Sequence, residues 1–388
     1  MARFLSVSAL TLLLSLFLGS GLQAQMETTT LRGPDEGAGP FDRLIIRGAM
    51  MIDGTGAPPR GPVDIVINGD RIESVRSVGF PGVPISDRSR PQNATYEIDA
   101  HGMYVLPGFV DMHVHTGGRP KAPQAEYVYK LWLAHGVTTV RGVPFGEFNW
   151  SLGEKALSER NEIVAPRMFT YHRPGTGWDG GSVTDAESAR AWVRWLAQAE
   201  VEGAKVDGIK LGAYDPEIME ALIAESKNHG FGTVAHLDQM GVVRMTALDA
   251  ARLGMNMMTH HYGLMESMLT DYGIQNWPVD YNYNNEQHRF GNVAHLWHQS
   301  AEPGSEQWNA LIQEFLELDF GLDPTMTIYE ASRDLKRAVN AEWHENTPCP
   351  PSGTTTRRAA GPTDPTGSIG PARTNTTGRS STKSGCTS

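Results

Sequence analysis

Short apolar runs alternate with longer amphipathic segments from about residue 104 onward. The runs are typical of buried β-strands and cover 104–115, 136–142, 166–172, 206–212, 232–237, 255–261 and 320–328. Helical patterns lie between them, including 184–201, 215–229 and 242–252. Such alternation predicts a parallel sheet, and seven strands in succession favour a (β/α)8 barrel of the TIM type over an open sheet. The predicted barrel spans 104–345 and lacks its eighth strand.

A different pattern precedes the barrel. Two β-rich runs lie at 44–52 and 63–75, and the Asn-Gly-Asp inside the second predicts a hairpin turn. We therefore predict a small N-terminal β-sandwich domain over residues 43–103. The Gly- and Pro-rich stretch at 25–42 is predicted to be a linker.

Neither end of the chain has the pattern of a folded domain. Residues 1–24 combine a positive start with a short apolar core, which predicts a secretory signal peptide; an uncleaved membrane anchor is the alternative. The expected location is therefore secreted or periplasmic, with no stable membrane span after cleavage. Residues 346–388 are rich in Thr, Ser, Gly, Pro and Arg, which predicts a disordered low-complexity tail. An out-of-frame or aberrant C-terminus explains this abrupt change better than a natural mucin-like tail.

Composition limits the classes of partner expected for this protein. The net charge of −11 argues against a nucleic-acid partner, which would call for a basic surface. Cys349 and Cys386 both lie in the tail, so a disulfide framework is not expected.

Histidines cluster at the predicted strand ends. His113 and His115 are two residues apart, so both point to the same face of the first strand. His236 and His260 lie near the ends of the fifth and sixth strands. A single histidine in such a place is often a core residue, but several imidazoles at one barrel mouth predict a site for a divalent metal such as zinc.

Lys210 lies at the same level, near the end of the fourth strand. A free ammonium would be repelled by metal ions, whereas a lysine that has reacted with carbon dioxide is anionic and can bridge two metals. The alternative is an ordinary ion pair with Asp207 or Asp238.

The segment "VLPGFVDMHVH", preceded by a small β domain that begins near "MIDGTG", resembles the amidohydrolase superfamily. The pattern is most similar to its prolidase-like and imidazolonepropionase-like members. The resemblance implies two divalent metal ions, with zinc expected, and hydrolysis of an amide or peptide-like C–N bond in a small-molecule or dipeptide-like substrate. It also implies ligand roles for His113, His115, His236 and His260, with a carboxylated Lys210 as the bridge. His261 remains an alternative to His260.

One part of the family's pattern is missing. The family has a general-base aspartate at the end of the eighth strand, and no residue of this chain can be assigned to that role. Asp323 lies on the predicted seventh strand, and Asp364 lies in the tail. A catalytically inactive metal-binding or interaction protein is therefore the alternative function. A metal-dependent isomerase or a single-metal deaminase is a third, although Lys210 argues against a single metal.

Weaker candidates surround the predicted mouth. His172 and Arg173 follow the third strand, and Arg173 could bind a substrate carboxylate. The aromatic-rich insertion at 265–300 could form a wall of the pocket or mediate a dimer, which leaves a homo-oligomer open. Within the insertion, His295 and His298 are spaced as on one helix face. The apolar stripe at 309–318 predicts a core-facing helix.

Overall fold

The computed structural model describes residues 26–85, 87, 90–116, 125–270, 275–334, 336–337 and 340. The predicted signal peptide and tail lie outside these residues, as do Cys349, Cys386 and Asp364. Among the helices that are described, none is long and apolar enough to cross a bilayer.

A small sheet forms the N-terminal part. It contains β1 (Arg43–Met51), β2 (Arg60–Asn68), β3 (Arg71–Ser77), β4 (Tyr96–Asp99) and β5 (Tyr104–Val105). The β1–β2 and β2–β3 pairs are antiparallel, whereas β4 and β5 run parallel to β1. The predicted hairpin is confirmed, and Gly69 adopts the left-handed φ of 58° that its turn requires.

The small part is a single five-stranded sheet within the described residues, not the expected two-sheet sandwich. Ile72 and Ile98 accordingly stay exposed, at 68% and 42%. A sandwich would need further strands to cover such side chains. The pairing of β5 with β1 also extends the sheet two residues beyond the predicted boundary at 103.

A buried carboxylate ties the small sheet together. The side chain of Asp64, in β2, is fully buried and accepts hydrogen bonds from Arg47 (3.1 Å), from Arg90 (2.8 and 2.9 Å) and from the Gly48 amide (3.0 Å). Burial alone would raise the pKa of Asp64, but the bonds from Arg90, Gly48 and Arg47 outweigh it and the pKa lies below its ordinary value.

The larger sheet has seven parallel strands. They are β6 (Phe109–Val114), β7 (Val137–Gly142), β8 (Arg167–His172), β11 (Gly208–Leu211), β12 (Gly232–Ala235), β13 (Met257–Thr259) and β14 (Gly321–Asp323). A separate ribbon of β9 (Glu200–Val201) and β10 (Ala204–Lys205) lies between β8 and β11 in the sequence. All seven predicted strands are confirmed, in the order β14-β13-β12-β11-β8-β7-β6.

The sheet curves into a nearly closed barrel that lacks one strand. Within the described residues β6 and β14 are its two edges, with no backbone pairing between them. Phe109, Val110 and Met112 on β6 are therefore 59%, 56% and 38% exposed. The apolar run that predicted a buried strand is instead an open edge, because nothing in the described chain occupies the place of its missing neighbour.

Helices surround the barrel strands. They are α1 (Ala125–Ala134), α2 (Phe148–Glu159), α3 (Ala186–Leu196), α4 (Pro216–Asn228), α5 (Asp238–Gly241), α6 (Ala247–Arg252), α7 (Glu286–Gln299), α8 (Glu306–Glu317) and α9 (Met326–Arg333). A 3₁₀ helix spans Met265–Met268. The main core lies between these helices and the sheet, and Leu311 and Phe315 bury the predicted stripe of α8.

Capping interactions set the helix boundaries. The predicted helix at 184–201 begins after Asp185, which forms a capping box with Ser188, and ends at Leu196. A second capping box, formed by Thr246 and Asp249, makes α6 begin at Ala247 and not at the predicted residue 242. The predicted start of α4 at Pro216 is confirmed.

The segment predicted to be a linker packs against α2. The Thr29 amide donates to the Glu154 carboxylate at 2.8 Å, and the Trp150 indole donates to the Glu27 carbonyl at 3.0 Å. Met26 is buried in the same cluster. Burial raises the pKa of Glu154 above its ordinary value despite these hydrogen bonds.

Replacing Asp64 by asparagine is expected to lower the free energy of unfolding by about 3 kcal/mol at pH 7, because Arg47 and Arg90 lose their shared buried counter-charge and keep only the more exposed carboxylates of Glu97 and Asp87. The loss should shrink in acid. A carboxylate with a lowered folded pKa stabilises the fold above its unfolded pKa, and this stabilisation disappears as the pH falls through the folded pKa. Urea denaturation at several pH values measures both effects. Asp70→Asn, at an exposed turn, is the matched control, and equal stability of the two variants would contradict the assigned role.

Candidate metal and substrate site

A cavity of about 1000 Å³ opens at the carboxyl ends of the barrel strands. Six of the seven residues predicted for the site line it: His113, His115, Arg173, Lys210, His236 and His260. His113 lies on β6 and Lys210 on β11. The other four directly follow the ends of β6, β8, β12 and β13. Parallel strands point their carboxyl ends to one mouth, so residues far apart in the sequence meet there.

The four histidine rings form a continuous chain of contacts. Ring centroids are 5.3 Å apart for His113 and His115, 5.0 Å for His113 and His260, and 4.6 Å for His236 and His260. The His115 Nδ1 lies 2.8 Å from the Pro144 carbonyl, so this nitrogen donates and Nε2 keeps its lone pair. Within the described residues, no three His, Cys, Asp or Glu side chains are close enough in these positions to hold an ion.

The chemistry of the donors nevertheless fits a divalent metal. Burial lowers the pKa of His113, and burial with repulsion from His236 and His113 lowers the pKa of His260. These rings are therefore neutral at neutral pH, which is the form that binds metals. The His113 Nδ1 is also buried and forms no hydrogen bond in the described part of the chain.

Lys210, on β11, is buried with 2% of its surface exposed. Its Nζ donates to the Thr259 hydroxyl at 2.9 Å, and this hydroxyl in turn donates to the Ala235 carbonyl at 2.8 Å. Burial, and then the charges of Arg173 and Arg141, lower the pKa of Lys210 to about 7. A substantial fraction of the amine is therefore unprotonated and nucleophilic near neutral pH.

The alternative ion pair for Lys210 is wrong. The Asp207 carboxylate binds Lys155 at 2.7 Å and the Thr170 amide at 2.7 Å. The Asp238 carboxylate accepts the amides of residues 240 and 241. Both acids are therefore engaged elsewhere.

A left-handed backbone conformation at His260 directs the ring of His260, and not that of His261, to the cavity. β13 ends at Thr259, and His260 has a φ of 63°. Its Nδ1 lies 2.7 Å from the Thr325 hydroxyl, and its ring lines the cavity. The His261 ring stacks on Tyr329 at 4.6 Å and does not line the cavity. A local turn, not strand alternation, separates the two rings.

His172 does not reach the cavity. It is 1% exposed, its Nε2 lies 3.2 Å from the Ser151 hydroxyl, and its ring packs on Phe148. Burial lowers its pKa to about 4. The predicted substrate contact is therefore wrong for His172, because the period of β8 turns it into the wall. Arg173 lines the cavity, and no carboxylate among the described residues pairs with its guanidinium.

Two residues of the barrel interior were not expected at the site. The Asp323 Oδ2 lies 3.3 Å from the His113 Nδ1 and 3.4 Å from the Arg141 Nη2. Arg141 is 6% exposed, and its Nε donates to the Met112 carbonyl at 2.7 Å. The available signal was the arginine within the otherwise uncharged strand "GVTTVRG", since a buried charge needs a partner.

The insertion at 265–300 supports the site from one side. The buried ion pair of Glu266 and Arg289 has a separation of 2.8 Å, and the Arg289 guanidinium lies 4.5 Å from the centre of the Tyr262 ring. Tyr262 in turn stacks on His236 at 4.6 Å. Phe290 lines the cavity, which favours the predicted pocket wall. A dimer contact through this insertion stays a prediction.

No known family profile matches the chain. Curated relatives match in part. N-acyl-D-aspartate deacylase of Alcaligenes xylosoxydans xylosoxydans is 37% identical over 130 residues, 33% of this chain and 23% of that protein. Dihydroorotase of Caldanaerobacter subterraneus subsp. tengcongensis is 38% identical over 128 residues, 32% of this chain and 26% of that protein. The chain thus spans about a quarter of the length of these relatives.

Solved structures are more distant. A molinate hydrolase has a TM-score of 0.45 and 16% identity, with 74% of this chain and 73% of that chain covered. A Xaa-Pro dipeptidase has a TM-score of 0.44 and 20% identity, with 56% and 61% covered. These values are too low to assign an activity. The partial sequence matches support the predicted membership of this chain in the amidohydrolase superfamily.

Replacing Glu266 by glutamine is expected to loosen the pocket wall, because Arg289 would remain buried without a counter-charge. The expected cost is about 3 kcal/mol of local stability. Amide hydrogen exchange across α7, followed by mass spectrometry, should become faster. Glu302→Gln, an exposed change in the following loop, is the control. Unchanged exchange in α7 would show that the ion pair does not hold the insertion.

Proposed function

We propose that this protein is an exported metal-dependent hydrolase that cleaves amide-type C–N bonds in small-molecule or dipeptide-like substrates. The observation that carries the proposal is the convergence of four histidines and a buried lysine in one cavity at the barrel mouth. The partial matches to a deacylase and a dihydroorotase support the same class of chemistry.

In this proposal His113 and His115 would hold one divalent ion, His236 and His260 would hold a second, and Lys210, as a carbamate, would supply an anionic oxygen ligand to them. The carbamate forms when the unprotonated amine adds to carbon dioxide: a new N–C bond forms, one C=O π bond opens and a proton leaves the nitrogen. Imidazole and carboxyl-type oxygen are ligands that zinc accepts. Such ions, when bound, polarise the scissile carbonyl and make a water molecule acidic.

The protein's own groups orient the site. The Pro144 carbonyl fixes the tautomer of His115, the Thr325 hydroxyl holds His260, and Thr259 positions the Lys210 amine. Arg173 is suited to bind a substrate carboxylate at the mouth. Hydrolysis adds water to the carbonyl carbon and breaks the C–N bond, so a carboxylic acid and an amine leave.

A catalytically inactive metal-binding or interaction protein is the second candidate. The two candidates share the metal ligands and differ in turnover. A panel of N-acyl amino acids, cyclic amides and dipeptides, assayed for amine release with the metal-loaded full chain, separates them.

Replacing Lys210 by alanine tests the metal centre. The purified chain, incubated with zinc and bicarbonate and then desalted, is expected to retain about two zinc ions. Lys210→Ala should retain about one or none, because the bridge is lost. Elemental analysis by mass spectrometry measures the content. Lys227→Ala, an exposed lysine of α4, is the matched control. Less than about one ion per unmodified chain would refute the two-metal proposal.

Replacing Arg173 by methionine is expected to raise KM for a substrate that carries a free carboxylate by about 10- to 100-fold, the equivalent of one charged hydrogen bond. The value of kcat should change little, since the contact is made equally before and during reaction. Steady-state kinetics with an N-acyl amino acid and with its uncharged amide measure the effect. An equal change for both substrates would contradict a carboxylate contact.

A further inference from the structure

The carboxylate of Asp323 occupies an unexpected place. Its Oδ2 lies 3.3 Å from the His113 Nδ1, both side chains line the same cavity, and both are largely buried. The two groups are within ion-pair distance, but the His113 Nδ1 has no partner with hydrogen-bond geometry among the described residues.

The separation itself is informative. A hydrogen bond between a ring nitrogen and a carboxylate would be about 2.7–2.9 Å long. Two ligand atoms on one tetrahedral zinc ion, each about 2.0–2.2 Å from it, are roughly 3.4 Å apart. The observed 3.3 Å is close to the separation expected of two atoms that bind one cation.

The backbone fixes Asp323 at the level of the histidines. Asp323 pairs with Thr259 in the β13–β14 ladder, and its carbonyl accepts the His260 amide at 2.8 Å. Two residues later, Thr325 contacts the His260 ring. Asp111 also lines the cavity, but its carboxylate accepts the His113 amide at 3.0 Å and is held by that bond.

We propose that Asp323 is a further metal ligand, which supplies a carboxylate oxygen to the divalent ion held by His113 and His115. This inference rests on the proposed function. Arg141 neutralises the same carboxylate at 3.4 Å when no ion is bound, and a bound ion competes with it. The structural alternative is that Asp323 only pairs with Arg141 and so ties β14 to β7 across the open side of the barrel.

Two variants distinguish these roles. Asp323→Asn is expected to weaken Co²⁺ binding, measured by calorimetry, by more than the about 10- to 100-fold that loss of an outer-shell partner costs. It should also change the visible absorption of the bound Co²⁺, which reports ligand number and type. Asp323→Glu should restore part of the affinity. Asp319→Asn, four residues away and exposed, is the matched control and should leave both readouts unchanged.

Arg141→Met is expected to change the Co²⁺ affinity in the opposite direction. Removing the competing guanidinium should tighten Co²⁺ binding if Asp323 is a ligand. If Asp323 is only an edge contact, both variants should lower thermal stability and leave Co²⁺ affinity and spectrum unchanged, which overturns the inference. Should Asp323→Asn fail to fold, an unchanged or weaker affinity of Arg141→Met overturns it. Absence of Co²⁺ binding by the unmodified chain instead refutes the proposed function itself, so the two failures are distinguishable.

Discussion

The contact of Asp323 with His113 and Arg141 joins the two edges of an unfinished barrel. β14 and β6 have no backbone pairing in the described chain, yet one carboxylate of β14 reaches a ring on β6 and a guanidinium on β7. A sheet whose edges are not joined could flatten, and the strand ends would then diverge. The arrangement of histidines at the mouth depends on this curvature, because His113 belongs to one edge and His260 lies next to the other.

Burial and charge in the cavity together explain why its lysine is unusual. Burial, and then the charges of Arg173 and Arg141, lower the pKa of Lys210, so a third positive charge is unfavourable there. Burial keeps the neighbouring imidazoles neutral, and they add no further repulsion. A site with this balance favours an anion or a cation-binding carboxylate over a free ammonium. Conversion of the amine to a carbamate would relieve the repulsion and reverse the local charge.

The sequence was sufficient for features that depend on local pattern. Each strand has a short apolar run, and the placement of histidines at the strand ends followed from their positions along these runs. Capping residues such as Asp185 and Thr246 make the helices start later than the apolar pattern predicts. Both capping motifs are visible in the sequence, but the apolar pattern extends past them. The pairing of Arg141 with Asp323 could not be predicted, because the two residues are 182 positions apart and meet only when the sheet curves. His172 was misjudged for a different reason: it lies on the face of β8 that points into the wall, where it contacts Ser151.

The gap beside β6 changes the shape of the space in which a ligand would lie. The cavity is lined by Asp111 and His113 and also by Val110 and Met112, which belong to the opposite face of the same strand. Within the described residues it therefore continues around the strand edge, and the barrel wall is open beside β6. The described lining sets no length limit in this direction, so a molecule with one end at the histidines has room to extend sideways past the strand.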